Sequence, residues 1–314
     1  MLAIKSFPTP FQAAARTLDD RLGRYALLRR LPAGLRAEVW LGLPPGCHSL
    51  SQLVAIKVFF PHVPGPALTA LADELALAPQ LVHPNIVQTL RVGRDGESPF
   101  LVSEHLEGTT LRALLRRANA ARASVAPAAV ARVLLGIARA VSHAQGQATS
   151  PGTKALVERA LSADDVFVTF DGAVKLLGFK APLASTAPNG SEPEARAPAA
   201  RQGSSAHAAI DALLSEHLTP ELGQVLAAGS RPGRRGPYGL PRVARALERW
   251  QAGVLGSDGR AELAALTEAM FPSARLDHRA QLEVRLEQWL RARSPLAAEP
   301  DDSAPPASGV RALS

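Results

Sequence analysis

The spacing of apolar residues divides the chain into a strand-rich part and a helix-rich part. Between Tyr25 and Glu104, short apolar runs separated by turn residues predict five β-strands. One segment within this part has Leu68, Leu71 and Leu75 at helical spacing and predicts an amphipathic helix. The first hundred residues therefore predict a β-sheet accompanied by a single helix.

Helical spacing dominates the chain beyond residue 107. The stretch 127–145 predicts a long buried helix, because its large aliphatic residues share one face. Those residues are Val130, Val133, Leu134, Ile137 and Val141. A loop at residues 157–166 and then a β-hairpin with an Asp-Gly turn, within residues 167–182, are expected next. Further helices are predicted toward the end of the chain.

The last predicted helix, at residues 278–292, carries an apolar stripe. Leu282, Leu286 and Trp289 lie on that stripe. We expect this helix to pack on the helical part of the protein. The alternative is that the stripe docks onto a partner protein.

Three stretches lack the apolar residues that a packed core needs. Residues 1–22 are weakly patterned and predict an N-terminal extension. Residues 182–206 are rich in Pro, Ala and Ser and predict a flexible segment. Residues 294–314 are acidic and Pro-rich and predict a disordered tail.

Composition limits the classes of function open to this chain. Its 314 residues are 46% hydrophobic and carry a net charge of +7. A basic protein can attract anions, but no basic run is interleaved with aromatic residues, so we expect no nucleic-acid partner. Cys47 is the only cysteine, which excludes an intrachain disulfide. With no long apolar run and no secretory signal, we expect a cytoplasmic protein without membrane insertion.

The order of several motifs resembles that of bacterial, eukaryotic-like Ser/Thr protein kinases. The segment VAIKV carries Lys57 where the family has its phosphate-binding lysine, and Glu74 lies on the following helix. PFLVSEHLEG resembles the hinge between the lobes, and DGAVKLLGFKAP resembles the approach to the D-F-G motif. The resemblance implies an α+β, two-lobe fold. Its β-rich N-lobe would span residues 23–106, and its shortened, mainly helical C-lobe residues 107–293.

The same alignment implies that the catalytic groups of the family are missing. Ala160 stands at the position of the catalytic base, and Gly178 stands at the position of the metal-binding Asp. Asp165 replaces the Asn that binds a second metal ion and remains the one candidate metal ligand. Of the three glycines in the phosphate-binding loop, only Gly34 is present. The resemblance therefore implies a pseudokinase with no catalytic residues.

Parts of a nucleotide pocket remain in the alignment. These remnants are Lys57, Glu74, Gly34, Ala55, Ser103, Glu104 and Phe167. The Lys57–Glu74 pair would either bind nucleotide phosphates or only fix the helix against the sheet, and we favour the structural role. A Phe at position 167 would either partly fill the adenine pocket or only pack in the core, and the sequence favours neither.

Three functions follow from the resemblance. We favour an inactive scaffold or regulatory module that needs no cofactor and binds a protein, such as a kinase or a signalling complex. An alternative is a switch that binds ATP weakly, with or without Mg²⁺, and transfers no phosphate. The third is an active kinase in which Asp164 or Asp165 replaces the base.

Overall fold

The computed structural model describes residues 21–31, 37–60, 65–158, 161–179, 219–230 and 240–291. Several sequence-based expectations lie outside these ranges. They concern Gly34, Ala160, the segment 182–206 and the tail 294–314.

The N-lobe contains an antiparallel sheet whose described strands follow the order β1-β2-β3-β4-β6-β5. The strands are β1 (Arg21–Leu22), β2 (Tyr25–Leu31), β3 (Ala37–Leu43), β4 (Val54–Phe59), β5 (Thr89–Asp95) and β6 (Ser98–Glu104). The five predicted strands are confirmed as β2 to β6. The short strand β1 is additional, and it begins within the stretch expected to be an extension.

The two faces of this sheet have different partners. Val39 pairs with Lys57 and Leu41 pairs with Ala55, and residues paired across strands share a face. We call this the inner face. The opposite, outer face carries its own apolar cluster, which includes Trp40.

The helix predicted from the leucine spacing is confirmed as α1 (Gly65–Leu77), and it covers one end of the inner face. Leu71 is buried in a cluster with Ala37 and Phe59. Phe59 lies two residues beyond Lys57 on β4, so α1 packs beside the lysine.

The C-lobe is mainly helical. Its described helices are α2 (Leu111–Ala120), α3 (Pro127–Gln147), α4 (Pro151–Glu158), α5 (Pro220–Ser230), α6 (Leu240–Trp250), α7 (Arg260–Met270) and α8 (Ala274–Arg291). A small sheet contains β7 (Gly108–Thr110), β8 (Val166–Thr169) and β9 (Val174–Leu176) in that order. No helix in the described part of the chain is both long and apolar enough to cross a membrane.

Helix α3 forms the centre of the C-lobe core. All five aliphatic residues predicted to be buried on this helix are buried, which confirms the prediction. The hairpin β8–β9 is also confirmed, and its Gly172 adopts a φ of 77° in the turn. The strand β9 lies against α3, where Gly136 allows close contact with Val174. The core therefore fixes the hairpin that leads toward Gly178.

Helix α4 lies in a stretch that the sequence pattern had predicted in part as a loop. Val157 and Glu158, expected in that loop, form its last turn. Ser150 and Thr153 cap its first turn reciprocally: each backbone N–H donates to the other side chain at 3.1 Å. The helix packs against α1, and a Cβ on Gly152 would clash with the Asp73 carboxylate.

Helix α8 packs on the N-lobe, so the expectation that it packs on the helical lobe was wrong. Leu282 and Leu286 are buried against inner-face residues of the N-lobe sheet and the loop before β4. Those residues are Ala26, Leu28, Leu41, Leu43 and Leu53. The apolar stripe of α8 was visible in the sequence, but its target depends on the folded path of the chain.

Candidate functional site

The inner face of the N-lobe sheet forms one wall of a cleft, and the C-lobe hairpin approaches it from the opposite side. Lys57 Nζ donates to Glu74 Oε1 at 2.6 Å, so the predicted pair is formed between β4 and α1. The Glu74 side chain is only 7% exposed. The ammonium group also lies 4.4 Å from the centre of the Phe59 ring, a cation–π contact.

Gly178 lies in the same small cavity as this ion pair. The cavity is about 40 Å³ and its lining includes Lys57, Glu74, Leu101, Gly178 and Phe179. This volume admits a few water molecules and is far below the several hundred Å³ of a typical small-molecule pocket. The structure thus brings Gly178 to the place that the alignment implied, beside Lys57.

The backbone at Gly178 is unsuited to other residues. Its φ is 105°, in a region that side-chain-bearing residues rarely adopt. No described atom lies within 4 Å of the point that a Cβ would occupy, so the constraint comes from the backbone and not from crowding. The next residue, Phe179, is buried in the C-lobe core. Phe179 therefore anchors this segment in the core, although the segment lacks the metal-binding carboxylate of the family at position 178.

Asp165 is buried and engaged with its own loop. Its Oδ2 accepts hydrogen bonds from Ser162 N at 2.9 Å and from Ser162 Oγ at 2.7 Å. Its backbone carbonyl accepts from Leu177 N at 2.8 Å, which ties the loop to the segment leading to Gly178. These contacts give Asp165 a structural role.

The described residues do not fit the Mg²⁺ site of the kinase family. The ion is normally bound by carboxylate and amide oxygens, and Gly178 supplies neither from a side chain. Within the described ranges, no group of three His, Cys, Asp or Glu residues is arranged to hold a metal ion. We therefore assign no step to a metal ion.

Asp164, the other candidate for a relocated base, points to a different partner. Its Oδ2 accepts from Arg112 Nε of α2 at 2.6 Å, and its side chain is 53% exposed. The pair lies on the surface, where such contacts stabilise weakly.

The hinge residues occupy the positions that the alignment gave them. Ser103 pairs with Ala55 across β6 and β4 and is nearly buried. Glu104 Oε1 accepts from Lys175 Nζ at 2.5 Å and from Gln88 N at 2.8 Å. The Glu104 carboxylate therefore links the hinge to strand β9 of the C-lobe.

Phe167 lies on the C-lobe side of the hinge. It pairs with Thr110 in β7, and its ring approaches Gly108 so closely that a Cβ on this glycine would clash with it. The ring is partly exposed. Close packing between β7 and β8 thus fixes the position of the ring.

Helix α8 brings groups to the hinge that the sequence pattern did not reveal. Arg29 donates to His278 Nδ1 at 3.1 Å, and the His278 ring lies 5.6 Å from that of His105. Arg275 Nε donates to Glu107 Oε2 at 3.1 Å. No local pattern could have revealed these contacts, because α8 and the hinge are far apart in the sequence.

Burial controls the protonation of the two histidines at the hinge. Desolvation, assisted by the neighbouring His278, lowers the pKa of His105 to about 4. Burial and then Arg29 lower the pKa of His278. The contact therefore forms between neutral imidazoles at neutral pH.

Comparison with protein-family models shows to which family this chain belongs. The model for the protein tyrosine and serine/threonine kinase family matches residues 25–192, more than half of the chain. The chain belongs to this family. The α+β kinase fold expected from the motifs is confirmed as well. One solved structure with this fold is the crystal structure of a double mutant of the PknI kinase domain from Mycobacterium tuberculosis. The superposition covers 76% of this chain and 100% of the PknI chain, with a TM-score of 0.53 and 20% sequence identity.

Two bacterial kinases are similar to this kinase-family chain in sequence. The tyrosine-protein kinase MasK of Myxococcus xanthus is 32% identical over 160 residues, which are 50% of this chain and 25% of MasK. The serine/threonine-protein kinase PknL of Mycobacterium tuberculosis is 31% identical over 160 residues, 50% of this chain and 36% of PknL. The matched region thus spans only a quarter to about a third of these relatives.

Proposed function

We propose that this chain is a kinase-family domain that transfers no phosphate and acts by binding a protein partner. Such a partner would be a kinase or another component of a bacterial, cytoplasmic signalling complex. The observation that carries the proposal is the position of Gly178 beside the Lys57–Glu74 pair. A glycine with a φ of 105° stands where the family needs a metal-binding carboxylate.

The expected effect on catalysis is large. Phosphoryl transfer depends on positioning and on electrostatic stabilisation of charge in the transition state. Loss of one preorganised stabilising group typically lowers kcat by about 10²- to 10³-fold. A second catalytic group, the general base, is missing as well, because the sequence has Ala160 at its position. Neither Asp164 nor Asp165 supports the alternative of a relocated base, because Arg112 and Ser162 engage them.

A nucleotide-binding switch is the second candidate, and one observation favours it. The Lys57–Glu74 pair is formed at 2.6 Å, as a phosphate-binding lysine would require. The same pair also fixes α1 to β4, a structural role that needs no nucleotide. Nucleotide binding and phosphate transfer therefore need separate measurements.

The test measures phosphate transfer and nucleotide binding on the same samples. Wild type, Lys57→Ala and Lys154→Ala are incubated with ATP and either Mg²⁺ or Mn²⁺, and ADP release and protein phosphorylation are followed. Lys154 is exposed on α4, so its substitution is a charge-matched control. We expect no turnover in wild type above that of Lys57→Ala. Turnover that requires Lys57 but not Lys154 would overturn the proposal.

Thermal melting with millimolar ATP tests whether nucleotide binds the wild-type protein. A ligand that binds only the folded state raises Tm, and a concentration of 100 times Kd adds about 2.7 kcal/mol of stability. We expect no shift in wild type. A shift that Lys57→Ala abolishes and Lys154→Ala retains would instead support the nucleotide switch.

A further inference from the structure

Helix α8 covers the inner face of the N-lobe sheet at the end opposite to α1. Alternate residues of β4 share this face, so Phe59, Lys57 and Ala55 follow one another along it. Helix α1 packs at the Phe59 end. At the other end, Leu41, the cross-strand partner of Ala55, packs in the α8 cluster. The stretch from Lys57 to Ala55 therefore lies between two helices.

The contact between α8 and the sheet is apolar at its centre. Leu282 and Leu286 are 2% and 9% exposed and are packed among aliphatic side chains of the sheet. Leu31, the last residue of β2, also packs against this cluster. Burial of two leucines contributes roughly 3–6 kcal/mol, which is enough to keep a helix seated.

Polar contacts place the start of α8 directly against the hinge. His278 lies between Arg29 of β2 and His105 of the hinge. Arg275 binds Glu107, the residue just before β7. Helix α8 therefore contacts both the sheet above the cleft and the chain segment that joins the two lobes.

We propose that α8 is a gate that closes the hinge end of the cleft. A nucleotide then gains access to the cleft only after α8 dissociates from the N-lobe sheet. This inference rests on the second candidate of the proposed function, the nucleotide switch, because it takes the cleft between Ala55 and Phe167 as the remnant nucleotide site. It deepens that function, since a partner that binds the released helix would open the cleft. The gate controls access and is independent of whether phosphate is transferred.

Cys47 provides a native reporter of the seated helix. It is the only cysteine of the chain, and it is partly buried against the α8 cluster. A soluble thiol reagent should react slowly with Cys47 while α8 is seated and faster once the helix leaves. No engineered label is needed for this measurement.

The test compares two acidic substitutions on opposite sides of α8 in the full chain. Leu286→Asp places a charge in the buried cluster, whereas Val284→Asp places the same charge at a position that is 54% exposed. The rate of Cys47 modification and the ATP-dependent shift of Tm are measured for both variants and for wild type. Phosphorylation is assayed separately, so a failure of the gate is distinguished from a failure of the proposed function.

We expect Leu286→Asp to speed Cys47 modification by about tenfold or more and to acquire a Tm shift of several degrees with millimolar ATP. Val284→Asp should match wild type in both measurements. If Leu286→Asp loses cooperative melting, Leu282→Ala is measured in its place.

Three outcomes would overturn the gate. Fast Cys47 modification without any ATP-dependent shift would show that the seated helix is not what excludes nucleotide. An ATP-dependent shift in wild type with Cys47 still slow to react would show that the cleft opens elsewhere. Slow modification in both Leu286→Asp and Leu282→Ala would show that the named contacts do not hold the helix.

Discussion

At the scale of single residues, Gly178 differs from its family counterpart in backbone as well as in side chain. The motif alignment could predict the missing carboxylate, because it needed only the order of residues. It could not predict the φ of 105°, which is a property of the folded segment between the buried Leu176 and Phe179. A simple exchange back to the family residue would therefore meet a backbone that disfavours it.

Gly178→Asp is expected to lower the free energy of unfolding by about 1–2 kcal/mol, because the side chain strains this positive-φ position. It is also expected not to produce phosphate transfer. Urea denaturation and an ADP-release assay measure the two effects. Gly223→Asp, at a helical glycine with open space around it, should change stability by no more than about 0.5 kcal/mol. Turnover in Gly178→Asp would show that the missing carboxylate was the only obstacle to phosphate transfer.

Asp165 shows how far residue identity alone could predict the site. Its position in the motif suggested a metal ligand, but an identity does not specify hydrogen-bond partners. Ser162, three residues earlier, donates twice to the same carboxylate oxygen and gives it a role within the loop. A serine three residues before an aspartate often forms such a local hydrogen bond, so Ser162 was the sequence signal for a structural role of Asp165.

At the scale of elements, periodic helices and strands were predictable, whereas α4 was missed in part. Eight residues are too few for a clear apolar repeat, and the end of the stretch resembles the catalytic loop of the kinase family. Ser150, Pro151 and Thr153 carried the local signal for a helix start. Because α4 packs on α1, this cap also supports the helix that bears Glu74.

Thr153→Ala is expected to destabilise the protein by about 1–2 kcal/mol, because it removes the reciprocal cap and leaves buried backbone groups less satisfied. The Thr153 hydroxyl is within hydrogen-bonding distance of Ser150 N, Oγ and O, and the residue is only 6% exposed. Chemical denaturation measures the effect. Lys154→Ala, at the exposed neighbouring position, should stay within about 0.5 kcal/mol of wild type. Equal losses in the two variants would contradict the capping role.

At the scale of the whole molecule, the two lobes and their order were predictable, but the contacts between distant segments were not. Sequence periodicity gave α8 an apolar stripe without indicating which surface receives it. The fold places this stripe on β2 and β3 and brings His278 to His105. The hinge, the N-lobe sheet and the end of the described chain thus form one contact whose stability should depend on pH.

The pH dependence follows from the lowered pKa of His105. Burial, together with His278, holds this pKa at about 4, against 6.5 for an exposed imidazole, while Glu107 opposes the shift. The pKa values of His278 and His83 are lowered too, chiefly by burial. In each case the unfolded chain binds a proton more readily than the folded one. The stability that neutral His105 contributes is therefore fully present above pH 6.5 and is lost as the pH falls from 6.5 toward 4, and His278 and His83 act in the same direction.

Urea denaturation between pH 7.5 and 4 should show this loss, and His105 should account for roughly 3 kcal/mol of it at pH 4. His105→Asn removes the titrating group, so its stability should fall less steeply with decreasing pH than that of wild type. The rate of Cys47 modification is divided by that of a free thiol at the same pH, because the reactive thiolate becomes scarcer as the pH falls. A rise of this ratio at low pH in wild type, but less in His105→Asn, would place the effect at the α8 contact. Identical slopes in wild type and His105→Asn would mean that His105 is not buried as a neutral group against α8.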